Sequence, residues 1–99
     1  MAVSTTFDPH ACSSGTKGVL SGSSQSGYIA ATVTSTPGNC AFQYRVYLDM
    51  WEQTQGEWVE MGYQSGVASQ YGTNHDFRVS SECAKGSPKY MYQITEHLL

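Results

Sequence analysis

The 99 residues carry a formal net charge of −3, only 13% of them are charged, and Lys17, Arg45, Arg78, Lys85 and Lys89 are scattered along the chain. That distribution offers no basic cluster to a nucleic acid, and no apolar run approaches the ~20 residues of a membrane helix. The length suits one domain, 1–99, with a single core, and the wealth of Gly, Ser, Thr and Tyr favours short strands and turns over helices.

Residues 1–27 are rich in Ser, Gly and Thr and are expected to be the least ordered part of the chain. Val3 to Phe7 and Lys17 to Leu20 read as edge strands, while Pro9 and the run Ser21-Gly22-Ser23-Ser24-Gln25-Ser26-Gly27 mark turns or a flexible tip. Tyr28 to Thr36 alternates, with Ile29, Ala31 and Val33 on one face, and reads as a strand. Pro37-Gly38-Asn39 closes a turn behind it.

The stretch from Ala41 to Tyr63 organises the rest. Phe42, Tyr44, Val46, Leu48 and Met50 occupy every second position, the period of a half-buried strand. A four-residue loop, Gln53-Thr54-Gln55-Gly56, pairs Glu52 with Glu57. The inner face then sets Met50 against Val59, Leu48 against Met61 and Val46 against Tyr63. The outer face sets Trp51 against Trp58 and Asp49 against Glu60. A one-residue slip would oppose buried and exposed sets, so the agreement of both faces supports the register.

Beyond the hairpin, Val67 and Tyr71 are expected to anchor a short edge strand, and Thr73-Asn74-His75-Asp76 carries turn chemistry. Phe77 to Ser80 reads as a strand and Ala84 to Pro88 as a loop. Lys89 to Glu96 follows with Tyr90, Tyr92 and Ile94 inward, so that the last two strands form a second hairpin. His97-Leu98-Leu99 reads as a frayed tail. Six to eight strands at short spacing define an all-β chain: a single antiparallel β-sandwich of immunoglobulin-like architecture, with a small β-barrel as runner-up. Two marks of a true immunoglobulin domain are missing, because Trp51 faces away from the core and Ser81 stands where the tyrosine corner would be.

Cys12, Cys40 and Cys83 show no CxxC spacing and no histidine at zinc-ligand intervals, so no metal is implied. Cys40 precedes the hairpin and Cys83 follows the Phe77 strand. If those two strands are antiparallel neighbours the sulfurs meet, which makes Cys40 and Cys83 the disulfide candidates. Cys12 is then the unpaired candidate: a free thiol, an intermolecular link, or the true partner of one of the others. A disulfide points to an extracellular or periplasmic protein whose leader has been removed; three reduced cysteines in the cytoplasm are the alternative.

The chemistry-bearing residues gather on the outer face of the hairpin. Trp51, Trp58 and Tyr47 form an aromatic platform, and Asp49 faces Glu60 with Arg45 as the counter-charge. Cross-strand packing alone accounts for two opposed indoles, at about 0.5 to 1 kcal/mol. An exposed platform, by contrast, marks a binding surface for a protein or a sugar. His10, His75 and His97 read as exposed, and no nucleophile elbow, phosphate loop or enclosed carboxylate pair is present. The expectation is a small exported, non-catalytic module that binds a protein as inhibitor, adaptor or assembly subunit, without a cofactor. A carbohydrate-binding, lectin-like module is the alternative, and a small hydrolase comes third.

Overall fold

The computed structural model describes residues 2–10, 12, 15–25, 27–36, 40–52, 54–79 and 92–99. Among them the chain forms seven strands in two antiparallel sheets. Strands β1 (Ala2–Phe7), β2 (Lys17–Gln25), β3 (Tyr28–Thr36) and β6 (Thr73–Arg78) make one sheet in that order. Strands β5 (Glu57–Val67), β4 (Gln43–Glu52) and β7 (Tyr92–Leu98) make the other. The sheets stack as a β-sandwich and do not close into a barrel. The chain threads the layers in its own order: with strands lettered A to G, the sheets run A-B-C-F and E-D-G, whereas an immunoglobulin constant domain runs A-B-E-D and C-F-G.

The core lies where the two inner faces meet. Ile29, Ala31 and Val33 come from β3, and Tyr44, Val46 and Leu48 from β4, all of them buried as their alternation predicts. Leu20, Phe77 and Ile94 join it from β2, β6 and β7, and Phe42 and Ala68 from just before β4 and just after β5. Each fully buried aliphatic side chain stabilises the fold by roughly 1.5 to 3 kcal/mol.

The hairpin register holds from the loop to Asp49↔Glu60, including Trp51↔Trp58 and Met50↔Val59. Glu52 organises the loop itself: its carboxylate accepts the backbone N–H of Thr54 at 3.0 Å and of Gln55 at 2.6 Å, and Gly56 supplies the left-handed φ of 68°. Those two hydrogen bonds, that from Gln55 above all, hold the Glu52 carboxyl below its ordinary pKa. Between Asp49 and Leu48 a β-bulge shifts the pairing, so Leu48 faces Gly62 and Tyr47 faces Tyr63. The expected pairs Leu48 with Met61 and Val46 with Tyr63 are therefore corrected: Met61 is the extra residue, and Tyr63 moves to the outer face.

Further expectations change. β2 extends through the Ser-Gly-Ser-Ser-Gln stretch that reads as a turn, because its inward positions include glycines that receive side chains from elsewhere. A Cβ on Gly22 would stand 2.3 Å from Ile94 Cδ1, and one on Gly18 2.3 Å from the Phe7 ring. Thr73 to Asp76 is strand, not turn: Ala31 pairs with His75, and Thr32 Oγ1 bonds Asn74 Oδ1 at 2.7 Å across the strands. The turn lies just before it, where Gly72 N–H donates to Ser69 O at 3.2 Å and Tyr71, 86% exposed, projects from the bend and anchors no strand. Finally, β6 pairs with β3 and β7 with β4, so the last two strands form no hairpin, and β7 incorporates His97 and Leu98.

The disulfide joins Cys12 to Cys40, with Cα atoms 5.9 Å apart. The expected bridge from Cys40 to Cys83 required β4 and β6 to be neighbours, and they belong to opposite sheets. Cys83, the turn at Pro37 to Asn39, the loop Ala84 to Pro88 and Tyr90 lie outside the described residues.

Candidate binding face

The outer face of the β5-β4-β7 sheet carries every candidate residue, in rows fixed by the two strand registers. Trp58 and Trp51 form the row at the hairpin tip. Glu60, Asp49 and Gln93 form the next, followed by Tyr63, Tyr47 and Thr95. Arg45 then stands between Ser65 and His97, and the final row places Gln43 between Val67 and Leu99.

Side-chain contacts tie the rows together. The indoles of Trp51 and Trp58 meet edge to face, with centroids 5.2 Å apart and planes at 67°. Tyr47 contacts Tyr63 at 5.5 Å and His97 at 4.6 Å. The Arg45 guanidinium lies 4.9 Å from the centre of the Tyr63 ring, a cation–π arrangement, and a hydrogen bond with Tyr47 holds it still more firmly protonated. Asp49 accepts a hydrogen bond from the Gln93 amide at 3.1 Å. Among the described residues no ion pair joins Arg45 to Asp49 or Glu60, so the counter-charge expected on the face is turned toward tyrosine instead.

Much of the apolar surface stays open: Trp58 is 40% exposed, Tyr63 52%, Val67 51% and Leu99 65%. The last row borders a shallow cleft of about 330 Å³ lined by Gln43, Ser65, Gly66, Val67 and Leu99. Tyr63, Gln93, His97, Val67 and Leu99 join the face without having been singled out by sequence. Alternation carried past the bulge turns Tyr63 inward, and a three-residue tail gives no period to read. The sequence offers no signal for Tyr63, because the face it leaves inward, Gly62-x-Gln64-x-Gly66, is poor in apolar bulk and reads as the solvent side.

Beneath that strand lies a polar bridge between the sheets, buried at its Tyr44–His75 end. Tyr44 hydroxyl meets His75 Nε2 at 2.5 Å, His75 Nδ1 meets Gln64 Oε1 at 3.1 Å, and Gln64 Nε2 donates to Asp76 O at 2.7 Å. One assignment satisfies all three bonds: the His75 proton on Nδ1 facing Gln64 Oε1, and the Tyr44 hydroxyl donating to Nε2. Thr73 Oγ1 adds a bond to Val67 O at 2.9 Å, so side chains stitch β6 to β5 where the two sheet edges run side by side. Burial lowers the His75 pKa, against a smaller opposing pull from Asp76, and raises that of Tyr44. His75, expected exposed, is 5% exposed, and Tyr44 is 0%.

His10, by contrast, is exposed, its N–H bonded to Asp8 Oδ1 at 2.9 Å. Among the described residues no group of three or more His, Cys, Asp or Glu side chains is placed to hold a metal ion. In comparisons with known proteins, no family model, no curated protein and no solved structure matches this chain.

Proposed function

We propose that this protein is a non-catalytic protein-binding module of an extracellular or periplasmic compartment, and that it binds through the outer face of β5-β4-β7. The observation that carries the reading is the gathering of four aromatic side chains on one sheet face, Trp58 and Tyr63 exposed with Trp51 and Tyr47 partly buried against them, and with Arg45 among them. Trp, Tyr and Arg are the residues that concentrate binding energy at protein interfaces. Placement on strands holds them in fixed positions, which lowers the ordering cost of association. The Cys12–Cys40 disulfide is compatible with an oxidising compartment.

A carbohydrate ligand fits less well. Sugar stacking wants coplanar rings, and the two indoles stand at 67° to one another.

The test places a photo-reactive side chain at Tyr63, and as a control at Thr32 on the opposite sheet, in the native oxidised protein. Illumination in the protein's own extracellular fluid is expected to yield protein adducts from position 63 and none from position 32. A glycan array is run in parallel on the parent and on Trp58→Ala at matched folding, a change that should cost about 1 to 3 kcal/mol because it removes an edge-to-face contact and the buried part of the indole. Glycan binding that vanishes in Trp58→Ala, with no protein adduct, would overturn the reading in favour of a lectin.

A further inference from the structure

The rows of the outer face have a symmetry that the binding reading alone does not require. Going from the hairpin tip they run apolar, anionic, aromatic, cationic, apolar: Trp51 and Trp58, then Asp49 and Glu60, then Tyr47 and Tyr63, then Arg45, then Val67. Reversed end for end about the tyrosine row, the order is complementary to itself.

We propose that the occupant of this face is a second copy of the same chain, packed sheet to sheet about a two-fold axis that lies in the interface, across the strands, at the Tyr63-Tyr47-Thr95 row. This rests on the face being the binding surface. A rotation about that axis keeps each strand opposite its own copy and reverses its direction, as an isologous contact requires. On β4 it sets Arg45 of each copy over Asp49 of the other, twice. On β5 it sets Val67 over Trp58, twice, and places Glu60 diagonally beside the opposite Arg45. On β7 it sets His97 over Gln93. Tyr47 and Tyr63 meet their own equivalents on the axis.

The charge pattern is what selects this partner. Within one chain Arg45 and Asp49 stand on the same face of one strand with Tyr47 between them, and they form no ion pair. The distance between them along the strand is four residues, about 13 Å, which is the offset that a two-fold through Tyr47 converts into direct opposition. Five rows on three strands bury on the order of 1,000 Å² in total, near the lower bound for a specific interface, so the dimer is a weak one.

Sedimentation velocity on the oxidised protein, with the third cysteine alkylated to prevent intermolecular disulfides, tests it from about 10 μM to about 1 mM, the range a weak dimer spans. The parent is expected to shift from monomer to dimer across that range. Arg45→Glu and Asp49→Arg should each weaken self-association by more than about tenfold, because like charges then oppose each other twice. Mixed in equal amounts, the two variants should associate as the parent does, since both contacts of the mixed pair join opposite charges again. That recovery also guards against misfolding, which mixing cannot repair.

A parent that stays monomeric to the highest concentration, variants that associate like the parent, or a mixture that does not recover would each overturn the proposal. The photo-reactive residue at Tyr63 separates the two levels of the argument. Adducts of twice the chain mass belong to the second copy. Adducts of another mass beside a monomeric parent leave the face as a binding surface and remove the second copy from it.

Discussion

His75 shows what a single buried imidazole does to this fold. Both ring nitrogens are engaged while the ring is neutral, and burial lowers its pKa from the ordinary ~6.5. Between that lowered value and about 6.5 the unfolded chain binds more protons than the folded one, so stability rises with pH through the window. It is at its full value above about pH 6.5 and falls as the pH drops through the folded pKa. Urea midpoints at about pH 7.5 and 5.5 should therefore fall further for the parent than for His75→Gln, and equal falls would remove His75 from the acid response. Gly66 roofs the same bridge. A Cβ there would stand 2.6 Å from Tyr44 Oη and 3.1 Å from His75 Cε1, whereas Gly62, four positions earlier, has nothing within 4 Å. Gly66→Ala is expected to destabilise by about 1 to 3 kcal/mol, and Gly62→Ala to leave stability level or slightly raised. Chemical denaturation of the pair distinguishes a packed glycine from an idle one.

At the scale of elements, β5 is decided by its bulge. The extra residue, Met61, is 52% exposed and has no partner on β4. Deleting it should leave Glu60 outside and Gly62 inside on a regular ladder, at a cost on the order of 1 kcal/mol or less. Deleting Ser65 instead would turn Gly66 outward and Val67 inward against the Tyr44 hydroxyl, and should cost several times more; thermal melts rank the two. The same bulge marks the limit of what alternation reveals. From Gln43 to Glu52 the period of two is unbroken, so β4 and the placement of Trp51, Asp49, Tyr47 and Arg45 were legible. A period cannot signal its own interruption, so Tyr63 was not. β2 was only half legible because glycines stand on its inner face and the apolar bulk that fills them comes from Phe7 and Ile94. β6 was obscured by residue chemistry, since Asn74 and Asp76 are good turn formers whose outward positions on a strand leave His75 and Phe77 to face the core.

The molecule as a whole contains three cysteines, two of which are joined to each other. Alkylation of the denatured, unreduced monomer should accordingly add one label, as read by mass spectrometry. A bridge between residues 28 apart should contribute about 3.5 kcal/mol in the chain-entropy description. The Cys12→Ser, Cys40→Ser double variant is expected to lose roughly that much in urea under non-reducing conditions. The bridge also divides the chain in a way that ordinary denaturation does not display. β2 and β3 lie wholly within the closed loop, while β1 lies on one side of it and β4 to β7 on the other. A molecule stretched from its two ends therefore carries tension straight across the sulfurs, and β2 and β3 are bypassed by the load. Oxidised, it should reach full extension about 95 Å short of its reduced length, the span of the 28 residues the bridge withholds.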